Sequence, residues 1–152
     1  MARISIVQCG DGPKLFYNVH ATVGPGATNR RDDVLLVQYF IREIFRGLPS
    51  FKSDPFQGGT LAVDGVAGKQ TFAAILHVQM VQKKLGANIP IDGRIDPPTN
   101  EQLLSTVMHN QYTIIYLNKG FKRARVNDWP RVSQASDCPA ELRQWISEPE
   151  FV

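Results

Sequence analysis

Apolar positions along the chain first recur with a period of two and then switch to a helical period. Ile4 and Ile6 share one face of a run over 3–8, and Leu15, Tyr17 and Val19 share one face of a run over 14–19. Cys9-Gly10-Asp11-Gly12-Pro13 separates the two runs, so the pattern predicts an N-terminal β-hairpin. A lone hairpin is marginal in water, so it needs a surface supplied by later residues. Val23-Gly24-Pro25-Gly26-Ala27 makes a second break, read as the seam between hairpin and helical part.

A helix is expected to start between 29 and 33. Val34, Val37, Ile41, Ile44, Phe45 and Leu48 form its apolar stripe, and Gly47 and Pro49 end it. Residues 49–60 read as a loop whose Phe51 and Phe56 tuck onto the core and which helps shape a binding face. The second helix is expected over 72–85, burying Phe72, Ile75, Leu76, Val78 and Leu85, with its exit at Gly86 and Asn88. A third starts near Thr99 behind Pro97 and Pro98, buries Leu103, Leu104, Val107 and Met108, and continues through Ile114 and Leu117 to Asn118, before Gly120. The competing reading is a strand over 112–117, where Tyr112, Ile114 and Tyr116 alternate. Residues 121–135 read as polar and irregular. Asp137 or Ser136 then caps a short helix that follows Pro139, and Trp129, Trp145 and Ile146 anchor this tail. The resulting fold class is mainly α, in three segments: a hairpin extension over 1–23, a helical domain over 24–118 and a C-terminal extension over 119–152.

Within the helical part the chain repeats itself. Asp64-Gly65-Val66-Ala67-Gly68-Lys69-Gln70-Thr71 is answered 28 positions later by Asp92-Gly93-Arg94-Ile95-Asp96-Pro97-Pro98-Thr99, and each copy runs on into an apolar helical pattern. A repeat of this period indicates one supersecondary unit used twice. Asp-Gly favours a tight turn because glycine accepts positive φ and the aspartate bonds the backbone just ahead. Gly65, Gly68 and Gly93 are therefore read as turn residues, and Thr71 and Thr99 as helix caps.

Composition narrows the function. With 43% hydrophobic and 20% charged residues over 152 positions, one cored domain is expected and wholesale disorder is not. The net charge of +3 argues only for mild attraction to anionic surfaces. Lys119, Lys122, Arg123, Arg125 and Arg131 read as a solvated face, so nucleic acid is not the expected partner. No run approaches the roughly 20 apolar residues of a membrane span, and Gln8, Gly10 and Asp11 interrupt any secretory leader. Synthesis in the cytoplasm is expected, with any work in the periplasm or at the wall reached by a non-classical route. Cys9 and Cys138 form no paired motif, and whether they bridge is left open.

Catalytic chemistry has no signature in the chain. His20, His77 and His109 stand in no metal-binding arrangement, and no nucleophile motif occurs. Gly65 to Thr71 fails as a phosphate loop, because Val63 stands where a glycine is required and Gln70 follows Lys69. Asp64 and Asp92 are the obvious carboxylates for glycan chemistry, yet read first as turn formers. The chain is expected not to be an enzyme and to need no metal or cofactor.

The run from Gly24 to Leu104 resembles the bacterial peptidoglycan-binding domain, a small three-helix module found beside cell-wall hydrolases. The resemblance rests on Gly24-Pro25-Gly26, on Asp33 to Gln38 as the opening helix, and on Val63 to Gly68 with Thr71. Ala74-Ile75, Val78-Gln79, and Ile91 to Asp96 with Thr99 complete it. Two departures stand out: Asp96 where the family keeps a glycine, and the longer loop at 49–60. The resemblance implies a non-catalytic module for peptidoglycan or a muropeptide. Arg94, Gln79, Lys69 and Gln70, with Asp64 and Asp92, lie in or near the repeated turns and are the candidate ligand contacts. Arg94 leads among them, since a guanidinium grips a carboxylate with paired bonds. The alternative is a protein–protein adaptor or structural component of a phage-tail-like or bacterial secretion machine, in which the two terminal extensions clasp a partner.

Overall fold

The computed structural model describes residues 3–9, 12–51, 61–99, 112–146 and 149–151. The fold is mainly helical, with a small sheet at one side. Strand β1 (Arg3–Cys9) pairs antiparallel with β2 (Gly12–Asn18), so the expected hairpin forms, with Ile4 opposite Tyr17 and Ile6 opposite Leu15. Cys9, Gly12 and Pro13, read as part of the break, belong to the strands. A third strand, β3 (Pro149–Phe151), runs parallel to β1 and gives the order β2-β1-β3. Three residues carry no readable period, so the sequence pattern could not announce this return.

Helix α1 (Arg31–Gly47) stands at the centre. Its start and its stop at Gly47 fall where the pattern placed them. The single stripe was too narrow, however, because Leu35, Leu36, Tyr39 and Phe40 are buried alongside Val34, Val37, Ile41 and Ile44. A helix apolar on nearly every side must be enclosed. Phe51 follows in a short 3₁₀ turn (Pro49–Phe51) and tucks beside Phe45, with ring centroids 5.6 Å apart. Residues 52–60, with Phe56, lie outside the described part.

Helix α2 (Lys69–Lys84) begins earlier than expected. Thr71 therefore sits inside the first turn. Gly68 occupies the cap position, and no side chain bonds there. Ile75 and Val78 are buried as expected. Leu76 and Leu85 are not, at 37% and 65% exposure, because they project from the outer side of the helix and from its C-terminal end. Gly86 makes the exit, at φ +101°.

The third helix departs most from expectation. Helix α3 (Thr113–Ala124) starts fresh after Tyr112, whose φ of −113° and ψ of 132° are extended. A continuous helix from Thr99 to Asn118 is thereby ruled out, as is a strand over 112–117. Residues 100–111, with Leu103, Leu104, Val107 and Met108, lie outside the described part. Gly120 does not stop this helix. It is where α3 meets α1, and a Cβ there would fall 2.7 Å from Ile44 Cδ1. Glycine here serves close packing.

The tail is better ordered than its composition implied. After α3 a 3₁₀ turn (Val132–Gln134) leads to the short helix α4 (Ala140–Trp145). Asp137 does not cap α4, whose cap position is Pro139. Instead it accepts bonds from Tyr39 (2.7 Å) and Arg125 (2.9 Å). Arg125 also meets Glu43 at 2.8 Å and Asp128 at 2.7 Å, so one guanidinium fastens the tail to α1. Trp129 packs edge-on against Tyr17, and Ile146 is buried, whereas Trp145 is 38% exposed and anchors little.

One continuous core runs from Ile4 and Tyr17 through α1 to Leu142 and Ile146. Asn118 joins hairpin and helix directly. Its Oδ1 accepts the Tyr17 N–H at 2.7 Å, and its Nδ2 donates to the Tyr17 carbonyl at 2.8 Å. The expected seam at 23–27 is likewise tied in, since Val23 and Ile95 exchange two backbone bonds of 3.0 and 2.7 Å. All three sequence segments thus build a single body. Among the described residues no helix is long and apolar enough to cross a membrane.

Candidate functional site: two latched turns and the cleft beside the second

Each Asp-Gly turn is held by a buried glutamine from the preceding helix. Gln38 on α1 accepts at Oε1 from the N–H groups of Asp64 (3.1 Å) and Gly65 (2.9 Å). Its Nε2 faces Asp64 Oδ1, the Val66 carbonyl and Thr71 Oγ1 at 3.0–3.2 Å. Gln79 on α2 does the same for the second turn. Its Oε1 accepts from Asp92 (3.1 Å) and Gly93 (2.8 Å), and its Nε2 faces Asp92 Oδ1, the Arg94 carbonyl and Thr113 Oγ1. A primary amide has two N–H donors and one acceptor oxygen, which suits a turn that presents two N–H groups followed by a carbonyl.

The carboxylates finish the turns. Asp64 Oδ1 accepts from the Val66 N–H and Asp92 Oδ1 from the Arg94 N–H, both at 2.9 Å. The Val66 N–H is the main reason the Asp64 carboxyl lies below the ordinary carboxylate range. Gly65 and Gly93 take φ of +76° and +72°, the left-handed region that glycine enters freely.

Thr113, not Thr99, is therefore the second copy's counterpart of Thr71. In the first copy seven positions separate Asp64 from Thr71, and in the second twenty-one separate Asp92 from Thr113. The latched threonine thus stands fourteen positions further from its turn in the second copy, which the linear register hid. Thr99 is exposed and lies at the end of a described stretch.

The surroundings of the two turns differ. Over the first lies Arg31, whose Cγ and Nη1 would each be 2.9 Å from a Cβ on Gly65. Glu141 of α4 holds that arginine at 2.7 Å. The tail thus reaches the first turn at Gly65 through Arg31, while Asp64 and Val66 stay exposed. Beside the second is an open cleft of about 240 Å³ lined by Pro90, Arg94, Asp96, Tyr112 and Thr113. Arg94 packs against Gly24, and its Nη1 donates to the Pro25 carbonyl at 3.2 Å, which holds the guanidinium at the cleft with donors to spare. Asp96 accepts from Thr22 Oγ1 at 2.8 Å. The departure from glycine at position 96 thus ties the second turn to the segment after the hairpin.

Of the residues singled out from sequence, Arg94 reaches the cleft. Gln79 does not, because its amide is fully buried and occupied within the second latch. Asp64 and Asp92 are exposed, yet one oxygen of each, Oδ1, serves its turn. Lys69 and Gln70 are exposed on the first turn of α2 and do not line the cleft. Sequence reasoning missed Gln38 as a latch, Thr113, and the lining residues Tyr112, Asp96 and Pro90. The one available signal for Thr113 was its spacing from Gln79, which matches that of Thr71 from Gln38 to within one position.

The described residues contain no group of three or more His, Cys, Asp or Glu side chains able to hold a metal ion. Cys138 is a free, buried thiol. No family model, curated protein or solved structure matches the chain.

Proposed function

We propose that this chain is a non-catalytic module that holds bacterial peptidoglycan or a muropeptide fragment, and that the cleft at Arg94 is where it does so. In this reading α1, α2 and α3, joined by two latched turns, form a three-helix module of the peptidoglycan-binding kind. The observation that carries the reading is the placement of Arg94 and Tyr112 along one open cleft. A guanidinium with spare donors suits the stem-peptide carboxylate of a muropeptide, and a phenol ring suits the apolar face of a sugar. The Asp64 and Asp92 carboxylates are engaged by turn N–H groups, which supports binding over hydrolysis. Delivery to the wall would follow a non-classical route.

The test is co-sedimentation with purified, insoluble peptidoglycan at physiological and high salt, with Arg94→Ala in parallel. Pelleting that persists in salt and is lost in the variant is expected. Pelleting abolished by salt alone would mean charge adhesion, since screening removes exposed attractions. No pelleting by the folded protein would overturn the wall reading and favour the adaptor role in a phage-tail-like or secretion assembly.

A further inference from the structure

A second cleft, of about 520 Å³, opens in the tail and is lined by Asn127, Asp128, Trp129, Pro130, Arg131 and Gln134. None of these residues lines the Arg94 cleft. We propose that this second cleft is a binding site for an acidic saccharide, with the Trp129 indole as its platform and Arg131 as the partner of the sugar carboxylate. The proposal stands apart from the wall-binding reading, since it uses other residues and a different wall of the protein.

The walls are fixed before any ligand arrives. Trp129 stands edge-on to Tyr17, with centroids 5.5 Å apart, and also meets Phe121 at 6.5 Å. The Tyr17 hydroxyl donates to the Pro130 carbonyl and accepts the Val132 N–H, so both ends of 130–132 are pinned from the core. Asp128 is held by Arg125 at 2.7 Å. A site whose platform is already rigid loses little conformational freedom on binding.

The rim is built the opposite way. The side chains of Asn127, Arg131 and Gln134 make no hydrogen bond or ion pair with other described residues, and Arg131 and Gln134 are exposed. Two amides and a guanidinium are planar groups that meet neighbouring hydroxyls or a carboxylate with paired bonds. An indole and a proline ring offer apolar faces to the C–H side of a pyranose. The charge balance selects among sugars. Asp128 is paired with Arg125, a guanidinium that also serves Glu43 and Asp137, and Arg131 is the charged side chain of this lining without a partner among the described residues. A carboxylated sugar offers the Arg131 guanidinium a partner, which a neutral sugar does not.

Tryptophan fluorescence and calorimetry would be followed in a Trp145→Phe background, so that Trp129 is the only indole, while tetragalacturonate and chitotetraose are titrated in turn. Saturable binding of the acidic tetramer, with a fluorescence change and clear preference over the neutral one, is expected. Arg131→Ala should weaken it by about tenfold, the size of one lost charge-assisted contact. Gln134→Ala should weaken it less. Both side chains lie outside the core, so the melting temperature should hold and loss of binding cannot be loss of fold. Equal binding of both tetramers would overturn the assignment of Arg131. No binding of either, or binding indifferent to Arg131 and Gln134, would overturn the site. Persistence of the acidic-tetramer signal in Arg94→Ala would separate this cleft from the one beside the second turn.

Discussion

Gln79 donates its side-chain amide to the Thr113 hydroxyl at 3.1 Å, just as Gln38 donates to Thr71 at 3.0 Å. This correspondence aligns the two halves of the repeat. It also shows that Thr113, fourteen positions beyond Thr99, takes the place that Thr71 has in the first half. Each glutamine is a single side chain on which a whole turn depends.

Replacing Gln79 by Leu should therefore destabilise the protein by about 2–4 kcal/mol, because buried turn N–H groups are left without acceptors. Gln82→Leu, three positions along the same helix, should fall within about 0.5 kcal/mol of wild type. Urea unfolding midpoints of the two variants decide the matter. Equal midpoints would remove the latch from the account.

Arg125 satisfies Glu43, which is only 5% exposed. Arg125→Met should cost about 1.5–3 kcal/mol, the usual range for a hydrogen bond to a buried charged group. Arg42 and Arg46 still reach Glu43 at 3.0 and 3.3 Å, which keeps the loss at this moderate level. Calorimetric melting of the variant beside Arg125→Met/Glu43→Leu provides the check. The double variant should recover part of the loss, since no charge is then stranded.

Asp137 should make stability sensitive to acid. Hydrogen bonding to the Arg125 guanidinium, reinforced by Tyr39, holds its carboxyl well below the ordinary range. A depressed carboxyl contributes fully above its unfolded-state value of about 4, and that contribution fades as pH falls towards the folded value. Between pH 5 and 2 the wild type should lose stability more steeply than Asp137→Asn. Parallel curves for the two proteins would contradict this.

Gly120→Ala should weaken the contact of α1 with α3. The added methyl would lie 2.7 Å from Ile44 Cδ1 and 2.9 Å from Cγ1. Overpacking of about 1–3 kcal/mol should outweigh the gain of about 1 kcal/mol in helix propensity. A rise in melting temperature would show that the core yields there.

Cys138 is buried, and burial raises its thiol above the ordinary value. In a Cys9→Ser background, iodoacetamide at pH 8 should label the folded protein far more slowly than the urea-unfolded chain. Mass spectrometry over a time course reads both rates.

Local periodicity was enough for a hairpin at the start, for α1 and α2, and for a turn unit used twice, because these features depend on neighbours within a few positions. The resemblance named Gln38 and Gln79, and the repeat placed Arg94 at the second turn. What the chain alone could not convey was long-range. The Thr113 hydroxyl finds Gln79 across 34 positions, and Tyr112 reaches the side of Arg94 only because an extended residue there breaks the helical stripe. The Arg31–Glu141 pair spans 110 positions, and it brings the tail to the first turn and not to the second. Sequence spacing specifies what each segment can form, while the folded body decides which polar groups are used up inside and which are left to meet a ligand.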